Sequence, residues 1–163
     1  PRKGFILVTE PTQKYIFHKV YDSDYVANVA SSDADLQTST VVEGTRAGTI
    51  LIGASRERVG FDGSMNYEIL RRLAAQATSL FPVLRDVQLL RAYRGFRPYA
   101  PDHLPVIGED ATVKGLWHSA GHEGAGIGLA PGSAALITDA ILGRESFMVA
   151  SAFSPARFEK VLL

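Results

Sequence analysis

The sequence predicts an α+β fold: an antiparallel sheet with a covering helix, then a strand, a glycine-rich loop and a C-terminal helix. Three observations predict it. Residues 1–60 contain short β-branched and aromatic runs separated by turn residues. The stretch after Gly63 repeats its apolar residues at helical spacing. Near the end, Gly121, Gly124, Gly126 and Gly128 stand between a strand-like run and a second apolar helical run.

Phe5 to Thr9 is an apolar, β-rich run ended by Pro11. Tyr15 to Val29, with Asp22-Ser-Asp24 in the middle, predicts two short strands joined by a turn. Ser31 to Asp35 reads as a loop. Thr38 to Glu43 and Thr49 to Gly53 predict a hairpin turning at Gly44 to Gly48. Met65, Ile69, Leu70, Leu73, Ala74, Ala77, Leu80 and Phe81 predict a helix over 64–81, capped by Ser64 and stopped by Pro82. Its apolar face is suited to packing on the sheet. Val87 to Phe96, Leu104 to Gly108 and Leu116 to Ala120 predict three more strands. Pro131 to Leu142 predicts a helix with proline in its first turn and Gly143 past its end. Phe153 to Phe158 reads as a terminal turn. The expected division is a sheet region over 1–96 and a second region over 97–163.

Composition narrows the function. The chain has 163 residues, 46% of them apolar, enough for a well-filled core. Its 17 basic and 17 acidic residues cancel, which argues against nucleic acid or an anionic membrane as a partner bound by bulk charge. It contains no cysteine, so disulfides, thiolate catalysis and cysteine metal sites are excluded. No apolar run reaches the roughly 18 residues of a membrane helix. Nothing points to secretion, and a cytoplasmic location is expected. The chain opens at Pro1 and enters a strand almost at once, as expected of a piece of a longer polypeptide.

Two features carry chemistry. The glycine run lies between a strand and a helix, where backbone N–H groups can hold an anion or a group that becomes negative. Its spacing is G-x-x-G-x-G-x-G and not the dinucleotide fingerprint G-x-G-x-x-G. Close helix-to-strand packing is the alternative use of such glycines. Arg97 lies just before Pro98, which biases it to extended geometry at a strand end. There it is either an ion-paired surface residue or a fork for a carboxylate. His18, His103, His118 and His122 share no metal-ligand spacing, and no G-x-S-x-G elbow is present, so a metal site and a serine hydrolase are not expected. His122 alone sits inside the glycine loop. Tyr25, Tyr93 and Tyr99 are candidate pocket residues, with core or rim packing as the alternative.

Gly95-Phe-Arg-Pro98, Pro101-Asp102, Leu104-Pro-Val-Ile-Gly108, Ala120-Gly-His122, Gly126-Ile-Gly-Leu-Ala-Pro131 and Pro155-Ala-Arg-Phe158 occur in order. Together they resemble the C-terminal half of the D-amino-acid oxidase superfamily, near glycine oxidase, sarcosine oxidase and D-amino-acid dehydrogenase. The likeness is most specific over 91–158. It implies FAD as cofactor and oxidation of the C–N bond of an amino acid or amine by hydride transfer to the flavin. It implies a substrate-binding sheet over the first region and part of an FAD-binding layer over the second. Arg97, with Tyr25, Tyr99 and His122, is then expected to bind the substrate. Gly95, Gly121, His122, Glu123, Gly124, Ala125, Gly126, Ile127 and Gly128 are expected to line the flavin, with no residue in an acid–base role. The helix near Pro131 is expected to aim its positive end at the ring. Gly124 stands where glycine oxidase-like members carry a basic residue, two positions after the His of Gly-His. Gly95 stands at the position of the covalent-flavin cysteine of sarcosine oxidases, so the flavin is expected to be non-covalent. The ADP-binding G-x-G-x-x-G is missing. The isolated chain is therefore expected not to hold FAD firmly, and to be completed in cis or in trans. The rival reading is a non-catalytic small-molecule-binding or subunit-interaction module on the same fold.

Overall fold

A computed structural model of the chain describes residues 1–30 and 35–161. It divides into two compact units, Pro1–Phe96 and Arg97–Leu163. Most of the loop expected over Ser31 to Asp35 lies outside the described residues.

The first unit is a five-stranded sheet with helices. Its strands are β1 (Arg2–Thr9), β2 (Val20–Tyr21), β3 (Gln37–Gly44), β4 (Ile50–Arg56) and β5 (Leu89–Arg97), in the order β2-β3-β4-β1-β5. The pairs β2–β3, β3–β4 and β1–β4 are antiparallel. Two buried hydroxyls stitch β1 to β4: the Phe5 N–H donates to Ser55 Oγ and the Ile50 N–H to Thr9 Oγ1, both at 2.9 Å. Each takes up a buried amide that would otherwise be costly to leave unpaired. The β3–β4 turn closes with the Thr45 N–H on the Thr49 carbonyl at 2.9 Å.

Helix α2 (Tyr67–Leu80) lies on this sheet. Ile69, Leu73 and Ala77, four residues apart, pack with Phe5, Leu7, Val42, Ile50 and Ile52, which share one sheet face by their period of two. The helix is capped by Asn66, not by Ser64. Asn66 Oδ1 accepts the N–H groups of Glu68 and Ile69. Asp62 has already taken both the N–H and the hydroxyl of Ser64, at 2.9 and 2.7 Å. The expected span of 64–81 therefore shortens at both ends, and Pro82 opens a separate 3-10 turn to Asp86.

The two strands expected between Tyr15 and Val29 are one short strand, β2, and a helix, α1 (Ser23–Ala30). Asp22 decides the matter. Its Oδ1 accepts the Tyr25 N–H at 3.1 Å, as a helix cap, while its Oδ2 accepts the Thr40 N–H of β3 at 2.7 Å. One carboxylate starts the helix and anchors it to the sheet.

The second unit holds the hairpin β6 (Val106–Glu109) and β7 (Trp117–Ala120), with Ile107 opposite Ser119, and the helix α3 (Gly126–Ile141). Ile107, Ser133 and Leu136 are buried between them. Helix α3 starts five residues earlier than the proline predicted. Pro131 lies inside it, and Gly126, Ile127 and Gly128 form its first turn rather than a loop. The Ala125 N–H bonds the His122 carbonyl at 3.0 Å and the Leu129 N–H bonds the Ala125 carbonyl at 3.1 Å, so the turn winds before the proline is reached. Gly143 follows the helix end in the left-handed region, φ 63°. Two 3-10 turns, Ala150–Phe153 and Pro155–Val161, complete the unit.

Candidate functional site

The end of β5 and the glycine turn lie side by side in the second unit. Arg97, the last residue of β5, is partly buried. The next carbonyl, of Pro98, accepts the Glu123 N–H at 3.1 Å. Tyr99 forms an isolated antiparallel bridge with His122. Two non-glycine residues here take left-handed backbone, His103 at φ 59° and Glu123 at φ 49°. They face one another, His103 Nδ1 lying 3.2 Å from Glu123 Oε1, and the Tyr99 ring meets His103 edge-on with centroids 5.5 Å apart. Such backbone costs energy in any residue with a Cβ, and it persists where the surroundings fix it. Gly121 is held still more tightly. Its φ is 80°, and a Cβ there would lie 3.3 Å from the Val106 nitrogen.

The turn ends at the N-terminus of α3. Among the described residues no side chain caps this end, and its N-cap residue is Ala125. The N–H groups of Gly126, Ile127 and Gly128 have no carbonyl a turn earlier within the helix. Ile127 is 96% exposed, and a Cβ at Gly124 or Gly128 would meet nothing within 4 Å. The result is an open patch of uncommitted donors at the positive end of a 16-residue helix.

His122 is fixed by more than its bridge to Tyr99. Its Nε2 lies 2.8 Å from Oγ of buried Ser133, and that hydroxyl also donates to the Leu129 carbonyl at 3.0 Å. His122 lines an open groove of about 460 Å³ with Ser119, Gly126, Ala130, Ala134, Ile137 and Thr138.

At the other side of the unit, Arg157 fastens the C-terminal turn. It donates to Asp102 through Nε at 2.6 Å and Nη2 at 3.2 Å, and to the carbonyls of Leu104, Phe153 and Ser154. The Arg157 bonds hold the Asp102 carboxyl below its usual range. Asp110 is lowered much further, first by His118, whose Nε2 sits 2.8 Å from Oδ2. The Thr112 and Val113 N–H groups and the Thr112 hydroxyl add to this. The motifs Pro101-Asp102 and Pro155-Ala-Arg-Phe158 thus meet as one internal clasp.

Of the residues singled out from sequence, Arg97, Tyr99 and 121–128 share one unit and one stretch of paired backbone. Tyr25 and Gly95 belong to the first unit. Tyr25 lies on α1 with Arg56 over its ring at 5.3 Å, and Gly95 is an exposed residue of β5. Sequence reading missed His103 and Ser133. Ser133 carried a signal: it is a hydroxyl at the inward position between Leu129 and Leu136 of an otherwise apolar helix. His103 carried none, because its partner is 20 residues away. Among the described residues no group of His, Asp or Glu side chains could hold a metal ion, and no helix is long and apolar enough to cross a membrane.

An α+β chain with a glycine turn at an uncapped helix N-terminus has the makings of an anion-binding site, and comparison gives it a family. Residues 1–140 match the model of the DAO family, FAD dependent oxidoreductase, and the chain belongs to this family. It is 39% identical over 111 residues to a glycine oxidase of Pseudomonas aeruginosa, covering 68% of this chain and 30% of that protein. It is 38% identical over 112 residues to the bifunctional protein ThiO/ThiG of Trichormus variabilis, covering 69% of this chain and 17% of that protein. The fold superposes on the crystal structure of L-proline dehydrogenase from P. horikoshii with a TM-score of 0.81 at 24% identity, covering 99% of this chain and 40% of that one. The chain thus spans well under half the length of these relatives.

The second unit fits part of an FAD. The isoalloxazine ring has a polar edge that becomes more negative on reduction, and it needs donors without competing side chains. The α3 N-terminus offers backbone donors, no capping carboxylate or hydroxyl, and open space over Gly124 and Gly128. The chain contains no G-x-G-x-x-G for the adenosine end.

Proposed function

We propose that the chain is the C-terminal part, or a separately encoded subunit, of an FAD-dependent oxidoreductase. It acts on the C–N bond of an amino acid or secondary amine. The observation that carries this reading is the uncapped, glycine-built start of α3 lying beside the backbone that follows Arg97. When bound, FAD would supply the acceptor for the hydride that leaves the substrate α-carbon. The residues of this chain then need only position and polarise. The guanidinium of Arg97 holds the substrate carboxylate as a bidentate pair. The backbone N–H groups of Gly126 to Gly128 would hold the polar edge of the ring, where negative charge develops on reduction. The names of the relatives, a glycine oxidase and an L-proline dehydrogenase, agree with a small amine that carries a carboxylate.

The test is Arg97→Ala in the full-length protein, assayed on glycine, proline and N-methyl amino acids with oxygen and a dye acceptor in parallel. Loss of a desolvated charge pair weakens substrate binding by about 2–5 kcal/mol, seen as a KM raised by more than tenfold. Arg97→Lys should recover part of it, since a lysine keeps the charge but loses the fork. A KM unchanged in Arg97→Ala removes Arg97 from the site. A complete protein with no turnover of any amine and no flavin favours the non-catalytic module.

A further inference from the structure

We propose that Ser133 is a positioning residue that sets the tautomer of His122, and so makes the imidazole a hydrogen-bond acceptor toward whatever occupies the site. The inference starts from proton counting. A serine hydroxyl carries one proton. That of Ser133 is directed to the Leu129 carbonyl one turn back, at 3.0 Å, the usual bond of a serine inside a helix. The 2.8 Å contact between Ser133 Oγ and His122 Nε2 then needs its proton from the imidazole. His122 is therefore the Nε2–H tautomer, and Nδ1 keeps its lone pair. If the serine donated to Nε2 instead, its oxygen and the Leu129 carbonyl would face each other at 3.0 Å with no proton between them. Nδ1–H would then have no acceptor among the described residues.

Three features make this a built arrangement. Ser133 is 4% exposed, so water does not compete for its hydroxyl. The His122 backbone is held by the bridge to Tyr99 and by its own carbonyl, which accepts the Ala125 N–H. The first residue of α3 lies close to the base of the side chain: a Cβ on Gly126 would stand 3.4 Å from His122 Cβ and 3.9 Å from its Cγ. The second ring nitrogen, on a residue that lines the groove beside α3, is left to a ligand. An acceptor there selects an N–H donor, either the ring N–H of the flavin or the N–H of the amine substrate. It complements the α3 N-terminus, which supplies donors only. The ligand half of this inference rests on the function proposed above; the tautomer half does not.

The experiment is nitrogen-15 NMR of the histidine rings in the labelled chain, with Ser133→Ala and Ser133→Thr as variants. The expected wild-type result is a pyrrole-like Nε2 and a pyridine-like Nδ1 for His122. Ser133→Ala should bring the two nitrogens toward an averaged pattern, and Ser133→Thr, which keeps the hydroxyl and its bond to Leu129, should restore the wild-type one. A pyrrole-like Nδ1 in the wild type overturns the proposal, and needs no variant to fold. An Nδ1–Nε2 pattern unchanged in a folded Ser133→Ala overturns the role of Ser133. In the full-length protein, an upfield Nδ1 shift on loading FAD assigns the donor to the flavin. A shift appearing only on adding glycine under anaerobic conditions assigns it to the amine. No shift with either overturns the acceptor role while leaving the tautomer result standing.

Discussion

Asp110 shows how one side chain can fix a turn. Its two oxygens accept from His118, from the N–H groups of Thr112 and Val113 and from the Thr112 hydroxyl, all within 2.9 Å. These donors favour the ionised form and hold the folded carboxyl well below the usual carboxylate range. Asp62 behaves alike. Its carboxyl drops to about 2 under the Ser64 and Lys3 bonds. A lowered folded value means that the stabilisation is fully present above about pH 4 and is lost as pH falls through the folded range. The thermal midpoint should therefore decline between about pH 4 and pH 2. Asp110→Asn should melt lower at neutral pH and lose part of that acid slope. An unchanged slope in Asp110→Asn would place the acid sensitivity elsewhere. None of this was legible beforehand: Asp110 and His118 become neighbours only because β6 and β7 pair with Gly108 opposite His118.

At the scale of elements, sequence reading succeeded where periodicity alone decides and failed where a cap competes. Helix α2 was legible because Ile69, Leu73 and Ala77 repeat at four-residue spacing over three turns, and β1, β3 and β4 because their β-branched runs end at turn residues. The starts of helices were not. Ser64 and Asn66 are both good caps in isolation, and Asp62 removes Ser64 from the contest through two hydrogen bonds. Asn66→Ala should then cost about 1 kcal/mol in urea unfolding, and Ser64→Ala distinctly less. Equal losses would return the cap to Ser64. Helix α1 was missed because Tyr25 and Val26 favour strands locally, whereas the Asp22 carboxylate supplies the cap and the tie to β3. In α3 the proline rule misled. Proline is favoured in the first turn, but hydrogen bonds from Ala125 and Leu129 begin the helix earlier, at the cost of the bond that Pro131 would have donated to the Ile127 carbonyl. That displacement matters to the site, because it moves the positive helix end from Pro131 into the glycine run itself.

At the scale of the molecule, the second unit leaves apolar surface uncovered. Helix α3 is apolar on nearly all sides, yet only Ser133 and Leu136 are buried. Ile127, Leu129, Ile141 and Leu142 are each about half exposed or more. A helix apolar all round belongs in an interior. The same unit offers donors suited to a flavin ring and no motif for the adenosine end, while the chain spans 30% of the glycine oxidase it resembles. These observations agree if a further part of the polypeptide, or a partner subunit, covers α3 and grips the dinucleotide. Binding then divides unequally. On the function proposed above the ring-side contacts would be a few backbone N–H bonds, each worth about 0.5–1.5 kcal/mol net, too little by themselves to offset the entropy of immobilising FAD. The 163-residue chain should therefore bind FAD more weakly than about 10 μM, under about 7 kcal/mol, in a titration followed by flavin fluorescence. Supplying the full-length protein should give stoichiometric quenching under the same conditions. Tight one-to-one binding by the short chain alone would mean that the adenosine end is held by residues of these two units, and the division of labour proposed here would fail.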